Sequence, residues 1–217
     1  MKEPGTPFLL DLDGVLVTED SSWNSLHDAF GTRGPARPHF EAFARGDFGY
    51  REFMRRDIAL WGRRKLDDIE AVLNRTRLMP GAVEAVASLR ALGFLPMILS
   101  AGIDILARRV AEKLEITDWA SNGLEIGGDG HLTGEGVFRV DLRDKVPAAR
   151  TLLGRRGCKL ESSWCLSDNA SDALLLAACA RPVVFVPEGA APNGAFPPHW
   201  PRISRLSELI PLLQPFP

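Results

Sequence analysis

Lysine is scarce in this chain. Lys2, Lys65, Lys113, Lys145 and Lys159 are the only five, so most of the 26 basic residues are arginine. A lysine at a structurally marked position is therefore informative. Cysteine is scarcer still. Cys158, Cys165 and Cys179 are three, an odd number without metal-ligand spacing, which argues against a disulfide framework or a thiolate zinc site. Their apolar or helical surroundings point to buried free thiols in a reducing compartment. Neither sign of charge dominates: 26 basic against 28 acidic residues give a formal net charge of −2, which is not the footprint of a nucleic-acid binder. No apolar run approaches the ~20 residues of a membrane span, and Met1-Lys2-Glu3-Pro4-Gly5 lacks the apolar stretch of a signal peptide. The expectation is a cytoplasmic protein, monomer or homodimer, without nucleic-acid or membrane partners.

What is present is an ordinary globular composition, 45% hydrophobic and 25% charged over 217 residues, enough for one large domain or a core with an inserted subdomain. Phe8 to Leu12 reads as a buried strand. From Thr18 to Thr76 the texture turns helical, broken at Gly31, Gly34-Pro35, Pro38, Gly46 and Gly49, with eight of the 17 aromatic residues in that stretch. It predicts a small helical subdomain with its own core. Pro80-Gly81 then opens a helix running to Leu92 and closed by Gly93. A βα rhythm follows: a strand over Phe94 to Leu99, a helix over Ile103 to Leu114, and a hairpin around Gly127-Gly128-Asp129-Gly130. Further on come a helix from Asp144 to Gly154, a strand from Trp164 to Leu166, a helix from Ala170 to Ala180 and a strand from Val183 to Val186. In the tail only Ser204 to Leu213 looks helical. Alternation of this kind predicts an α/β protein with a mostly parallel sheet covered by helices on both faces.

Open parallel sheets carry their sites beyond the C-terminal ends of the strands, and four such places hold polar residues. Asp11-Leu12-Asp13-Gly14 ends the first strand. Two carboxylates two residues apart share a strand face, and a hard divalent cation relieves their repulsion. A strand-end turn that happens to hold two acids is the structural alternative. Ser100-Ala101-Gly102 precedes a helix, where free N–H groups and the helix dipole favour an anion; an ordinary serine N-cap is the alternative. Lys145 stands at a helix start, against the dipole. Ser167-Asp168-Asn169-Ala170-Ser171-Asp172 follows the Trp164 strand, with Asp172 one helical turn beyond Asp168.

In order and setting these four motifs resemble those of the haloacid dehalogenase-like phosphohydrolases, and in detail the phosphoserine phosphatase-like branch. The resemblance runs from Phe8 to Pro187. Ala101 stands for a glycine of the second motif, and Ser167 and Ser171 for a glycine and an asparagine of the fourth. It implies a Rossmann-like three-layer α/β/α core of residues 1–17 and 78–217 with a helical cap at 18–77. It further implies a Mg2+-dependent phosphomonoesterase acting on a small phosphorylated metabolite through an aspartyl-phosphate. Asp11 would then be the nucleophile and Asp13 the general acid and base. Asp11, Asp13 and Asp168 would hold the metal, Asp13 through its main-chain carbonyl. Ser100, Ala101, Gly102 and Lys145 would bind phosphate, with Asp172 and Asn169 behind them. A phosphotransferase using the same intermediate and a non-catalytic phosphometabolite-binding module remain as alternatives. In phosphoserine phosphatases an acid shortly after the first motif holds the substrate ammonium, a place Asp20 or Glu19 can fill, and a cap arginine holds its carboxylate. At that arginine's place this chain has Asp57, with Arg56 one residue away. Helical geometry puts Asp57 near the centre of the inward face, so it either pairs with an arginine or meets the substrate.

Overall fold

The computed structural model describes residues 5–189 and 196–213. Its seven-stranded sheet has the order β4-β3-β2-β1-β5-β6-β7. The strands are β1 (Thr6–Leu10), β2 (Phe94–Ile103), β3 (Asp118–Ile126), β4 (Leu132–Val137), β5 (Trp164–Ser167), β6 (Arg181–Phe185) and β7 (Arg202–Ile203). Every neighbouring pair is parallel except β3 and β4, which form the antiparallel hairpin. β1 lies at the centre, and Phe8, Leu9 and Leu10 are all buried, as a strand covered on both faces requires. Each of these side chains contributes roughly 2 kcal/mol by leaving water. The crossover helices are α5 (Ala82–Ala91), α6 (Asp104–Lys113), α7 (Val146–Gly154) and α8 (Ala173–Ala178), with α9 (Leu209–Leu213) at the end. They complete the expected three layers.

Between β1 and β2 come four consecutive helices, α1 (Ser22–Ala29), α2 (Arg33–Arg45), α3 (Tyr50–Trp61) and α4 (Leu66–Leu73). The chain leaves and re-enters the sheet side by side: Thr18 N–H donates to the Arg77 carbonyl (3.1 Å) and Met79 N–H to that of Leu16 (2.9 Å). Val17 and Leu78 form an antiparallel bridge. Gly34, Pro35 and Pro38 do not break the helical segment, as their residue types suggested, but lie within α2. Pro35 falls in the first turn, where no intrahelical N–H bond is lost, and the bond that Pro38 cannot make would go to the exposed Gly34 carbonyl, which meets water instead. Nor does the segment have a core of its own. Trp23, Phe43, Tyr50, Phe53, Met54, Ile58 and Trp61 belong to one continuous apolar cluster with the residues of the sheet. Gly136 of β4 shows the contact: a side chain there would run into Met54 and Ile58 of α3.

The strands β2, β3 and β7 depart most from the sequence expectation. β6 lies at Arg181–Phe185, and the helices expected over Ala170–Ala180 and Ser204–Leu213 are shorter, α8 and α9 each following a 3-10 turn. β2 runs on to Ile103, because after an irregularity beyond Leu99 it resumes pairing, Ile103 with Asn122. β3 starts four residues early, at Asp118, to meet it. β7 has two residues, too few to show periodicity. Cys165 and Cys179 are buried free thiols as expected, whereas Cys158 is half-buried.

Candidate active site

Asp11 follows β1 directly, its N–H bonded to the Leu166 carbonyl of β5 (3.0 Å). Its Oδ1 accepts from Leu12 N–H (2.8 Å), and its Oδ2 from Lys145 Nζ (3.0 Å). Lys145 also donates to Asp172 Oδ2 (2.8 Å). With a side chain 3% exposed, it is no surface lysine. Burial alone would favour its neutral form, but the carboxylates of Asp11 and Asp172 outweigh that and hold its pKa above the ordinary value. Burial pushes the Asp11 carboxyl up, against the pull of Lys145. The same cause lifts Asp168 to about 6 and Asp13 to about 7. Four carboxyl groups share one ammonium here, and the site is short of positive charge.

Asp13 is held by Ser22 at the start of α1: Oδ1 accepts from its N–H and Oδ2 from its hydroxyl, both at 3.1 Å. The same hydroxyl accepts from Ile103 N–H (3.1 Å), so one serine joins the first and second motifs. Ser100, Ala101 and Gly102 stand just before a helix, as expected, with Ile103 as its N-cap. α6 begins at Asp104, and the three residues lie in the irregular end of β2. Ser100 Oγ does not cap the helix but accepts from Gly102 N–H (2.9 Å). In the fourth motif, Asp172 is reached through a 3-10 turn (Ala170–Asp172) rather than a turn of α-helix. Ser167 Oγ, the departure from the family pattern, donates to Asp172 Oδ2 (2.6 Å). Asn169 Oδ1 accepts from Ser171 N–H and Oγ, both at 3.0 Å.

A divalent cation fits this arrangement. Asp168 Oδ1 is buried without a hydrogen-bond partner, and a carboxylate oxygen left so is costly unless a cation meets it. The expected donors are two side chains, Asp11 and Asp168, with the main-chain carbonyl of Asp13. Among the described residues no three His, Cys, Asp or Glu side chains are grouped to hold a metal; Ser22 engages both oxygens of Asp13 and Lys145 one of Asp11. From Asp13 the main-chain carbonyl, not the carboxylate, is left as the donor.

Asp11, Asp13, Ser100, Ala101, Gly102, Lys145 and Asn169 line a cavity of about 730 Å³ that extends into the helical segment. Trp23, Phe53, Asp57 and Asp20 line it as well, whereas Glu19 does not. The Glu19 side chain accepts from Thr18 Oγ1 (3.0 Å). Arg56 is also absent from the wall. It pairs with Glu52 (2.8 Å) and lies over the Phe48 ring, and Arg55 joins the same Glu52. Neither Arg55 nor Arg56 lines the cavity. Asp57 is paired, with histidines and not with an arginine: Oδ1 lies 3.1 Å from His39 Nδ1, and Oδ2 3.2 Å from His27 Nε2, the latter poorly aligned for a hydrogen bond. His27 Nδ1 accepts from Trp61 Nε1 (3.0 Å); indole N–H can only donate, so the ring proton of neutral His27 sits on Nε2. Sequence reasoning missed Ser22, Trp23, His27, His39 and Asn122, and also Arg33 and Arg37 of α2 on the cavity wall.

The sequence profile of the haloacid dehalogenase-like hydrolases matches residues 8–177. The chain belongs to this family. Among curated relatives, phosphoserine phosphatase SerB2 of Mycobacterium tuberculosis is 31% identical over 178 residues, 82% of this chain and 43% of that protein. The phosphoserine phosphatase of Idiomarina loihiensis is 30% identical over 146 residues, 67% and 66% of the two chains. This haloacid dehalogenase-like chain thus spans about half to two thirds of the length of the first curated relatives it matches. A substrate-bound phosphoserine phosphatase structure superposes with a TM-score of 0.77 at 19% identity, over 97% of this chain and 99% of that one. A phospho-aspartyl intermediate analogue of phosphoserine phosphatase gives 0.72 at 21%, over 83% and 86%. At these identities the likeness is one of fold.

Proposed function

We propose that this protein is a Mg2+-dependent phosphomonoesterase acting on a small phosphorylated metabolite. The observation that carries the reading is the buried Asp11 carboxylate at the end of β1, bonded to Lys145 and lining a cavity with Ser100 and Gly102. Family membership and the phosphoserine phosphatase relatives support it. Mg2+ would be held by Asp11, Asp168 and the Asp13 carbonyl, and would neutralise charge on the phosphoryl group.

Asp11 attacks phosphorus, the ester oxygen leaves, and an aspartyl-phosphate forms on Asp11. Asp13, kept protonated to near neutral pH by burial, gives its proton to the leaving oxygen. It then takes one from the water that hydrolyses the intermediate. Lys145, Ser100 and the Gly102 N–H hold the phosphoryl oxygens, where charge resides during transfer. Asp172 and Ser167 keep Lys145 in place. Residues 18–77 act as a cap that encloses the leaving group and excludes water.

The test is a screen of phosphorylated metabolites with Mg2+ and with EDTA, on the wild type and on Asp11→Asn. Turnover is expected with Mg2+ only, and the variant should lose it while keeping its melting temperature. Activity of Asp11→Asn within about tenfold of wild type would sink the mechanism, since an activated nucleophile contributes far more than ~1.4 kcal/mol.

A further inference from the structure

The Ala101 carbonyl takes three side-chain donors: Trp23 Nε1 (3.1 Å), Tyr50 OH (2.9 Å) and Asn122 Nδ2 (3.0 Å). Asn122 belongs to the sheet and is itself fixed, its Oδ1 accepting from Arg139 N–H (2.8 Å) and Val140 N–H (2.9 Å) and its Nδ2 donating also to the Val140 carbonyl (2.8 Å). Trp23 and Tyr50 come from the helical segment, 78 and 51 residues away in sequence. A carbonyl oxygen has two lone pairs, so three donors leave the Ala101–Gly102 peptide no freedom to turn. In a trans peptide the N–H points away from the C=O. The Gly102 N–H is accordingly held on the opposite side, toward Ser100 Oγ, which lines the cavity beside Asp11 and Lys145. Gly102 is enclosed as tightly: a side chain there would run into Asp13, Ser22 and Ser100. Bonds at the carbonyl end also polarise the peptide and strengthen its N–H as a donor.

We propose that Trp23 and Tyr50 are positioning residues, which lock the Ala101–Gly102 peptide so that its N–H is aimed at the transferring phosphoryl group. Docking of the helical segment then completes the anion site and does more than cover it. The inference rests on the phosphoryl-transfer reading above. A fixed donor favours the transition state over the ground state, so its loosening lowers kcat and leaves KM nearly unchanged.

The experiment compares Trp23→Phe, Tyr50→Phe and the double variant, all with Mg2+, reading kcat, KM, melting temperature and orthovanadate affinity. Two of the three donors remain, so each single variant should loosen the peptide only in part and lose about threefold or less in kcat. The double should lose at least about thirtyfold, against the 10²–10³ of a missing oxyanion donor. Orthovanadate should weaken in parallel while KM stays within about threefold. Additive losses in melting temperature with unchanged orthovanadate affinity would show a merely structural role and overturn the proposal. A wild type that binds no orthovanadate would overturn the phosphoryl-transfer reading and this inference with it, whereas a wild type that binds it no better than the double variant overturns the inference alone. Should the double variant not fold, Tyr50→Phe decides. The shift of the Gly102 amide resonance on adding orthovanadate should shrink by at least about a third, and an unchanged shift counts against the proposal.

Discussion

A methyl group on Gly14 would meet the Asp168 carboxylate, and Gly14 itself sits at φ +75°. Only glycine adopts that backbone region freely. Gly14→Ala is therefore expected to lose about 1 kcal/mol of stability from the backbone alone. On the proposed phosphatase reading it should also push Asp168 aside, raising the Mg2+ concentration needed for half-maximal activity at least tenfold. A Mg2+ titration of the variant checks this, and an unchanged midpoint would remove Asp168 from the metal site. At this scale the sequence is most readable where chemistry leaves a local mark. Asp11 and Asp13 stand two apart after an apolar run, and Lys145 is one of five lysines. Ser22 and Asn122 leave no such mark, because their bonds reach across 81 and 21 residues. A serine after Asp20-Ser21 reads as an N-cap, and an asparagine in a strand reads as a strand end.

Among the elements, β2 and β3 extend beyond their sequence expectation for one reason. Ser100-Ala101-Gly102 has the composition of a turn, and only pairing of Ile103 with Asn122 makes it a continuing strand. The early start of β3 brings in Asp118, whose carboxylate accepts from Arg156 at 3.0 and 2.9 Å and from Thr117 Oγ1 at 2.9 Å. Burial would raise its pKa, but these partners outweigh it and hold the carboxyl below its ordinary value. A depressed folded value means the stabilisation is present above the unfolded pKa, ~3.9, and is lost as pH falls through the folded one. Asp118→Asn should cost roughly 0.5–1 kcal/mol at pH 7, the modest figure reflecting the screening of the half-exposed Arg156. Wild type and variant should converge in urea unfolding as the pH is lowered below ~3.9. A gap that stays constant with pH would mean that packing at the start of β3, and not the ion pair, carries the effect.

Across the whole molecule, the α/β order and the helical insertion were legible from periodicity and aromatic density, because both are averages over many residues. The lining of the cavity was not, since it depends on which faces of α1, α2 and α3 turn inward. Helical geometry did place Asp57 inward, and there it is 2% exposed. Its histidine partners come from α1 and α2, and nothing in the sequence of α3 could name them. That wall bears on substrate choice. A carboxylate brought toward it meets a buried like charge, whose repulsion is several-fold stronger than it would be in water. Arg33 and Arg37 also line the cavity, but their side chains are 51% and 81% exposed and already paired with Asp28 and Glu41, so their attraction is screened. Arg55 and Arg56 are drawn off by Glu52. On the proposed phosphatase reading, phosphoethanolamine should exceed phosphoserine in kcat/KM by at least about tenfold, or ~1.4 kcal/mol. Asp57→Asn should narrow that ratio, mainly by improving phosphoserine, provided its melting temperature stays near wild type. A kcat/KM for phosphoserine of ~10⁴ M⁻¹s⁻¹ or more, above that for phosphoethanolamine, would show that Asp57 holds the helices together without reaching the substrate.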